Sequence, residues 1–154
     1  MRTTLDELYN IFLTYRTIST DSRQIPQGGL FFALKSENFD GNVYAKSAVE
    51  KGAAYALIDN ASFEDKKTLL VDDVLTTLQQ LALMHSRKHN IPVLAITGSN
   101  GKTTTKELIN AVLSRKYRVT ATRGNFNNHI GVPLTLLQIT ADTELAIIEM
   151  GANH

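Results

Sequence analysis

The stretch "ITGSNGKTTTKELI", residues 96–109, has the composition of a loop that binds phosphate groups. It follows a short apolar run and leads into a segment with helical periodicity. Gly98 and Gly101 allow the backbone to pass close to a ligand because they carry no Cβ atom. The first amides of a helix, together with its dipole, favour an anion at that end. The stretch therefore predicts a strand, a phosphate-binding loop and a helix that ends near Arg115.

The side chains of this loop suit a nucleotide with its metal ion. Lys102 supplies a positive charge for phosphate oxygens, and Thr103 supplies a hydroxyl where Mg²⁺ would lie. Because Ile96 occupies the first glycine position of the generic pattern G-x-x-x-x-G-K-[ST], the match is to a shorter form. The alternative is a glycine turn that enters a helix and binds nothing. The candidate nucleotide-binding residues are Gly98, Ser99, Asn100, Gly101, Lys102, Thr103 and Thr104.

Two apolar runs predict a parallel sheet around this loop. The run "VLAIT", residues 93–97, is continuous, which predicts a strand covered on both faces, as in a parallel sheet. A second strand is predicted over "ELAIIEM", residues 144–150. Glu149 ends this strand, and an acid that faces the loop threonine from such a position is a Mg²⁺ ligand in many phosphoryl-transfer sites. The alternative is a solvated strand end.

An asparagine-rich stretch separates these strands. In "TRGNFNNHIGVPLTLL", residues 122–137, Asn125, Asn127 and Asn128 lie between two glycines, a composition that disfavours both helix and strand. The stretch is predicted to be a loop at the edge where open α/β sheets bind ligands. The alternative is a plain surface turn.

The first ninety residues predict a separate small α/β region. Helices are expected over residues 4–15, over about three turns from Asp40-Gly41 to Gly52 with Val43 on the apolar face, and from an N-cap at Asp73. Strands are expected over residues 28–34, 54–58 and 68–71. Asn90 and Pro92 mark a boundary between two domains.

His85 and His89 lie one turn apart on the last of these helices. The spacing would suit a metal pair, but the sequence offers no third ligand at a usable distance. We expect these side chains to act as cations at the helix C-terminus.

The composition bounds the class of protein. The chain has 154 residues and no cysteine, which excludes disulfides. Because its formal net charge is only +1, no global electrostatic field favours nucleic acid or an acidic membrane. The N-terminus lacks the apolar segment of a signal peptide, and the apolar runs are too short to cross a bilayer. The sequence predicts a cytoplasmic protein with no membrane insertion and no nucleic-acid partner.

The three motifs together resemble the Mur ligases of peptidoglycan synthesis. Gly98 to Thr104 fits the family's nucleotide loop, G-[TS]-x-G-K-T-[TS], which is the shorter form noted above. The dipeptide-adding branch of the family carries G-N-x-N-N-x-I-G-V-P-L-T-L-L and E-M-G-A-N-H. Gly124 to Leu137 and Glu149 to His154 are similar to these two signatures. The segments "TDSRQIPQGGLFFAL" and "NFDGNVYAKSAVEKGAAYALI" resemble the family's UDP-binding domain.

The resemblance implies the fold and the domains. A small α/β UDP-sugar-binding domain is expected over residues 1–90, followed over residues 91–154 by the beginning of an ATP-binding, P-loop, parallel-sheet central domain. Because the family has three domains, we expect this chain to be an N-terminal portion and to be inactive alone. The resemblance also implies a complete enzyme that is monomeric.

The implied reaction is ATP-dependent ligation of D-alanyl-D-alanine to UDP-N-acetylmuramoyl-tripeptide through an acyl phosphate, with ATP and Mg²⁺ as cofactors. Lys102, Glu149, Asn127 and His154 are the implied catalytic residues, and Thr103 and Glu149 the implied metal ligands. The implied substrate-binding residues are Thr20, Asp21, Ser22, Arg23, Glu37, Asn38, Phe39, Asn125 and Asn128. Without the resemblance, "TDSR" at residues 20–23 would be interpreted as a polar turn.

Two other functions stay open from the sequence. One is another amide ligase of the same superfamily, such as the enzyme that adds the third residue of the peptide. The other is a non-catalytic module that binds a nucleotide or a UDP-sugar.

Overall fold

The structure is a computed structural model that describes residues 2–151, and these residues divide into two units after Leu78. The division lies within a helix, Val74–His89. The predicted assignment of residues 1–90 and 91–154 to two functional domains stays a prediction.

The first unit is built on a parallel sheet. Its strands β1, β2, β5 and β6 lie side by side in that order, and β3 and β4 form a separate antiparallel hairpin. The elements are α1 (Leu5–Tyr15), β1 (Ile18–Ser19), β2 (Leu30–Phe32), β3 (Lys35–Ser36), β4 (Phe39–Asp40), a 3-10 turn (Gly41–Tyr44), α2 (Ala45–Glu50), β5 (Tyr55–Ile58), a 3-10 turn (Ala61–Phe63), β6 (Thr68–Leu70) and the start of α3 (Val74–His89).

Local sequence determines where α1 begins. Thr4 accepts a hydrogen bond from the Glu7 amide, and the Glu7 carboxylate accepts one from the Thr4 amide, which is a complete capping box. Leu8 and Phe12, one turn apart, are fully buried, as their spacing predicts. The predicted helix is confirmed.

The centre of the first sheet is apolar on both faces. Every residue of β2 is buried, and so are Ala56, Leu57 and Ile58 of β5. Continuous burial is what a parallel strand between two layers requires, because helices cover both faces of such a sheet. The three strands predicted in this region are confirmed.

The segment after Asp40 differs from the predicted single helix. It forms a 3-10 turn and then the short helix α2, and Val43 is 52% exposed instead of lying on an apolar face. The Asp40 side chain accepts the Asn42 amide, and a Cβ on Gly41 would lie 2.7 Å from the carbonyl carbon of Ala33. The local hydrogen bond from the Asn42 amide to Asp40 and the close approach of Gly41 to the Ala33 backbone therefore set the first turn, and the apolar spacing reveals neither.

The second unit contains a three-stranded parallel sheet in the order β7, β9, β8. Its elements after the end of α3 are β7 (Val93–Ile96), α4 (Lys102–Leu113), β8 (Val119–Ala121), α5 (Gly131–Leu136) and β9 (Leu145–Glu149). Both predicted strands and the helix after the loop are confirmed. The helix α5 was not predicted, because its six residues are too few to show a period.

The prediction that β7 is covered on both faces is wrong. Val93 and Leu94 are 46% and 37% exposed, whereas Ala146, Ile147 and Ile148 of the central strand β9 are buried. Among the described residues β7 pairs only with β9 and forms one edge of the sheet. A continuous apolar run indicates a parallel strand, but it does not distinguish a central strand from an edge strand.

The expected role of His85 as a cation at the end of α3 is also wrong. His85 is fully buried, and its Nε2 atom lies 2.8 Å from the carbonyl oxygen of Ile139. His89 lies in the last turn of α3 together with Arg87 and Lys88. Within residues 2–151 no three His, Cys, Asp or Glu side chains are grouped as metal ligands.

No helix within residues 2–151 is both long enough and apolar enough to cross a membrane.

Candidate active site

The predicted nucleotide loop, residues 98–104, covers the connection between β7 and α4 and the first turn of α4, and it requires glycine at two positions. Gly98 and Gly101 have φ angles of +137° and +75°, which L-residues with a side chain adopt only with strain. Gly101 occupies the N-cap of α4 and offers no side-chain acceptor to the first amides of the helix. These amides are therefore available to an anion, to which the helix dipole also contributes.

Lys102 folds back over this loop. Its ammonium group donates to the Gly98 carbonyl oxygen at 2.6 Å. Ser99, Asn100, Thr103 and Thr104 are exposed. A bound polyphosphate would compete with a single neutral carbonyl for the lysine charge, and charge-assisted hydrogen bonds are the stronger kind.

Glu149 joins the nucleotide loop to the asparagine-rich loop. One carboxylate oxygen, Oε1, accepts hydrogen bonds from the Thr103 hydroxyl at 3.0 Å and from the Asn127 side-chain amide at 2.8 Å. The Glu149 amide donates to the Thr122 hydroxyl at 3.0 Å. Glu149 is only 1% exposed, which excludes the alternative of a solvated strand end. The structure thus brings together three predicted site residues, whose catalytic roles stay predictions.

The other oxygen of this carboxylate accepts no hydrogen bond. Glu149 Oε2 is buried and has no hydrogen-bond partner among the described residues. A buried carboxylate oxygen beside a threonine hydroxyl is a hard oxygen donor set, which suits Mg²⁺. Mg²⁺ is usually held by one or two protein carboxylates, with waters and substrate phosphates completing the shell, so the two residues fit this ion.

Topology explains why these groups meet. In a parallel sheet all strands end at the same edge, so the loops after β7 and β8 flank Glu149 at the end of the central strand β9. Ile96 and Glu149 are paired in register. The site therefore lies at the edge where open α/β sheets bind ligands.

The asparagine-rich loop is held by backbone contacts. The Asn127 carbonyl accepts the Gly151 amide at 2.7 Å, and a Cβ on Gly131 would lie 2.5 Å from the carbonyl carbon and oxygen of Phe126. Asn128 Oδ1 accepts the amides of Ile130 and Gly131, at 3.1 and 2.8 Å.

The asparagines of this loop thus have different surroundings. Asn127 is half-buried, whereas Asn125 and Asn128 are exposed, and the Asn128 side-chain oxygen accepts the amides at the start of α5. Substrate contacts of Asn125 and Asn128 stay predictions. His154 lies outside the described residues.

Lys106 is a site residue that the sequence analysis missed. It lies one turn after Lys102 on α4, is fully buried, and its ammonium group is 3.6 Å from Glu149 Oε2. Its burial could have been suspected from the sequence, because Lys106 shares a helical face with the apolar residues Ile109 and Leu113, where a lysine is unexpected.

The two stretches predicted to bind UDP leave neighbouring strands of the first sheet. Residues 20–23 follow β1. Residues 37–38 form the turn of the hairpin that follows β2, and Phe39 begins its second strand, so both stretches come after the carboxyl ends of paired parallel strands. This placement supports a ligand site at that edge. Phe39, 46% exposed, stacks on the Tyr44 ring at a centroid distance of 5.6 Å.

Residues 20–23 form a polar turn. The Asp21 carboxylate accepts the Arg23 amide at 2.9 Å and the Arg23 guanidinium at 2.8 Å. The side-chain bond from Arg23 is the main reason that the pKa of Asp21 is lowered to about 2. The Lys51 ammonium donates to the Ser22 carbonyl at 2.9 Å. The turn presents charged groups to solvent, and contact with UDP stays a prediction.

Asp59 anchors this edge and was also missed. Its side chain is 1% exposed, and it binds Asn42 Nδ2 at 2.9 Å, the Lys35 ammonium at 3.0 Å and the Val74 amide at 3.3 Å. Burial of Asp59 acts to raise its pKa, but the hydrogen bonds from these three groups outweigh burial, and the pKa is lowered. Asp59 thereby joins the hairpin, the 3-10 turn and the start of α3.

This pKa shift predicts an acid-sensitive first unit. A carboxyl whose pKa is lowered by folding contributes stability above its unfolded pKa of about 3.9, and this contribution is lost as the pH falls through the folded pKa. The free energy of unfolding should therefore decrease below about pH 5. Asp59→Asn should be less stable at pH 7 and should show a shallower decrease in acid.

Urea titrations from pH 7 to pH 3 measure both effects, with exposed Glu50→Gln as the control. Stability curves of Asp59→Asn and the wild type that run parallel over this range would contradict the prediction.

Comparison with known proteins now identifies the class. The model described as "Mur ligase family, catalytic domain" matches residues 14–122, which is more than half of the chain, and the "Mur ligase middle domain" model matches residues 96–154. The chain belongs to the Mur ligase family.

Several relatives carry the name of the same ligase. The UDP-N-acetylmuramoyl-tripeptide–D-alanyl-D-alanine ligase of Bacillus subtilis is 49% identical over 137 residues, which cover 87% of this chain and 30% of that protein. A crystal structure of MurF from Acinetobacter baumannii matches with a TM-score of 0.81 and 39% identity, over 89% of this chain and 30% of its own. MurF ligase from Thermotoga maritima in complex with ADP matches with a TM-score of 0.81 and 32% identity, over 92% of this chain and 33% of its own. The chain spans about 30% of the length of the curated relatives it matches.

Proposed function

We propose that the protein carrying this chain ligates D-alanyl-D-alanine to UDP-N-acetylmuramoyl-tripeptide, with ATP as the source of free energy. The names of the relatives support the reaction and both substrates, and the relative bound to ADP supports the nucleotide. The observation that carries the proposal is the meeting of Thr103 and Asn127 at one oxygen of Glu149, beside the nucleotide loop. With nucleotide substrates, the reaction belongs in the cytoplasm, and we propose that the enzyme acts there as a monomer.

The chemistry proceeds in two balanced steps. A carboxylate oxygen of the tripeptide attacks the γ-phosphorus of ATP, ADP leaves, and an acyl phosphate forms. The amine of D-alanyl-D-alanine then attacks the acyl carbon, loses a proton, and expels phosphate. Both steps depend mainly on positioning and on the neutralisation of negative charge.

We assign phosphate binding, metal binding and the orientation of Glu149 to different residues of the site. The amides at the start of α4 and the Lys102 ammonium hold the phosphates. Thr103 and Glu149 would hold Mg²⁺, whose charge would serve to neutralise negative charge on the phosphoryl oxygens. Asn127 fixes the Glu149 carboxylate through Oε1, and Oε2, which accepts no hydrogen bond, would be available to a metal ion.

The first domain would select the substrate by its UDP group. We propose that residues 20–23 and 37–39 contact UDP, because they follow neighbouring strands at the carboxyl edge of the sheet. The charged turn at Asp21 and Arg23 and the exposed ring of Phe39 offer polar and stacking contacts for a nucleotide.

A chimeric enzyme tests the proposed ligase activity. Residues 1–151 of this chain would replace the matching region of the Bacillus subtilis ligase, and ligation would be followed by product formation from ATP, UDP-N-acetylmuramoyl-tripeptide and D-alanyl-D-alanine. We expect turnover that requires D-alanyl-D-alanine. A folded chimera that binds both nucleotides without turnover would instead indicate a binding module.

UDP titration of the 154-residue chain, followed by NMR, belongs to the same test. Chemical shift changes are expected around Ser22 and Asn38, and changes confined to residues 98–104 would contradict the UDP assignment. The ligation assay, carried out on the 154-residue chain, tests the sequence-based expectation that this chain alone does not ligate.

A further inference from the structure

Lys106 carries a buried charge that the proposed reaction does not use. Its side chain is 1% exposed on the inner face of α4. The ammonium group donates to the Gly124 carbonyl at 2.9 Å and lies 3.0 Å from Glu107 Oε1 and 3.6 Å from Glu149 Oε2. Gly124 begins the asparagine-rich loop, so Lys106 is held by that loop as well as by its own helix.

The geometry at Glu149 separates charge from hydrogen bonding. A distance of 3.6 Å is too long for a hydrogen bond between the Lys106 ammonium and Oε2, but it is short enough for a strong Coulomb interaction. Lys106 therefore balances the charge of the Glu149 carboxylate, while the lone pairs of Oε2 stay available. Oε2 could therefore bind a cation, but the neighbouring Lys106 ammonium would repel that cation.

The local charges decide which cation complex the site accepts. A divalent ion at Oε2 would lie close to the Lys106 ammonium, in a buried region where charges are poorly screened. Glu107 offsets little of this repulsion because its side chain is 59% exposed and water screens it. Negative phosphate groups on the nearby nucleotide loop would supply the missing attraction.

We propose that Lys106 makes divalent-metal binding at Glu149 conditional on a nucleotide. The metal ion alone is rejected, and the metal ion with its nucleoside polyphosphate is accepted, so the site does not fill with free Mg²⁺. Lys106 is a positioning residue in this sense, because it acts through Glu149. The inference rests on the proposed function in one respect, the binding of a nucleotide at residues 98–104.

The probe is Mn²⁺ added without nucleotide. Electron paramagnetic resonance measures the fraction of this Mn²⁺ that stays unbound, and therefore its affinity for the protein. The wild-type chain is compared with Lys106→Met, which removes the charge, and with Lys106→Gln, which removes the charge but keeps a donor for Gly124. Lys106→Arg keeps the charge. Glu107→Gln is the matched control, because it changes the neighbouring exposed residue and leaves the Lys106 charge in place.

We expect Lys106→Met and Lys106→Gln to bind free Mn²⁺ at least about tenfold more tightly than the wild type, which corresponds to about 1.4 kcal/mol. Lys106→Arg should match the wild type, and Glu107→Gln should bind free Mn²⁺ equally or more weakly. Adding Glu149→Gln to Lys106→Met should remove the gain.

Three results would overturn the inference: no gain in Mn²⁺ affinity in folded Lys106→Met and Lys106→Gln, an equal gain in Lys106→Arg, or failure of both neutral variants to fold. In the last case the buried charge serves the fold alone. Calorimetry of the wild type with Mn²⁺ and ADP separates this inference from the proposed function. Absence of nucleotide binding there counts against the function, whereas normal nucleotide binding without the Mn²⁺ gain counts against the role of Lys106 only.

Discussion

Lys102→Ala is expected to weaken binding of Mg·ATP by roughly 10- to 150-fold, because a charge-assisted contact contributes about 1.5–3 kcal/mol. In the structure the Lys102 ammonium donates to the Gly98 carbonyl oxygen at 2.6 Å, over the loop where the phosphates would lie. Removal of the side chain leaves the helix amides and the glycine geometry in place. The loss should therefore appear in affinity, with little effect on the fold.

Isothermal titration calorimetry with Mg·ATP measures the effect, and circular dichroism confirms that the variant is folded. Lys116→Ala, which removes an exposed lysine that lies over the Tyr117 ring, is the control and should bind Mg·ATP as the wild type does. Equal affinity in Lys102→Ala and Lys116→Ala would show that Lys102 is not the phosphate ligand.

Gly131→Ala is expected to destabilise the second unit by about 1–3 kcal/mol, the range for overpacking of a tight contact. Its added Cβ would lie 2.5 Å from the carbonyl carbon and oxygen of Phe126, a backbone contact that cannot move as a side-chain tip can. The displaced segment immediately precedes Asn127. The hydrogen bond from Asn127 to Glu149 should weaken with it, and so should the affinity for Mg·ATP.

Urea unfolding and calorimetry on the same samples measure the two consequences of Gly131→Ala. Gly131→Val adds two methyl groups at the same place and should be less stable than Gly131→Ala. Wild-type stability in both variants would mean that the loop does not need this close approach.

The sequence was most informative where local pattern and chemistry coincide. Gly98 to Gly101 lies between a strand and a helix, as predicted. An acid at the end of β9 faces Thr103 in the first turn of that helix, because parallel strands end at one edge. What the sequence did not reveal depends on distant partners. Lys106 and Asp59 become notable only when their neighbours, which are 18 and 17 residues away, are known.

The exposure of β7 has a related physical cause. Val93 and Leu94 have the composition of buried strand residues, but position in the sheet is a property of pairing, and β9 takes the central place. The short helix α5 escaped prediction for a different reason. Asn128 and Gly131 near its start indicate a turn, and the hydrogen bonds from the Ile130 and Gly131 amides to Asn128 Oδ1 can be recognised only from the backbone geometry.

The shared oxygen of Glu149 has a thermodynamic consequence. Thr103 belongs to the predicted nucleotide loop and Asn127 to the asparagine-rich loop, yet both donate to the same Oε1 atom. Any ligand that repositions one donor changes the energy of the other, so occupancy of the two loops is linked. Linkage of this kind is reciprocal: if a bound acceptor substrate raises nucleotide affinity by some factor, the nucleotide raises affinity for that substrate by the same factor. A single carboxylate would thereby couple the binding of the two ligands to each other.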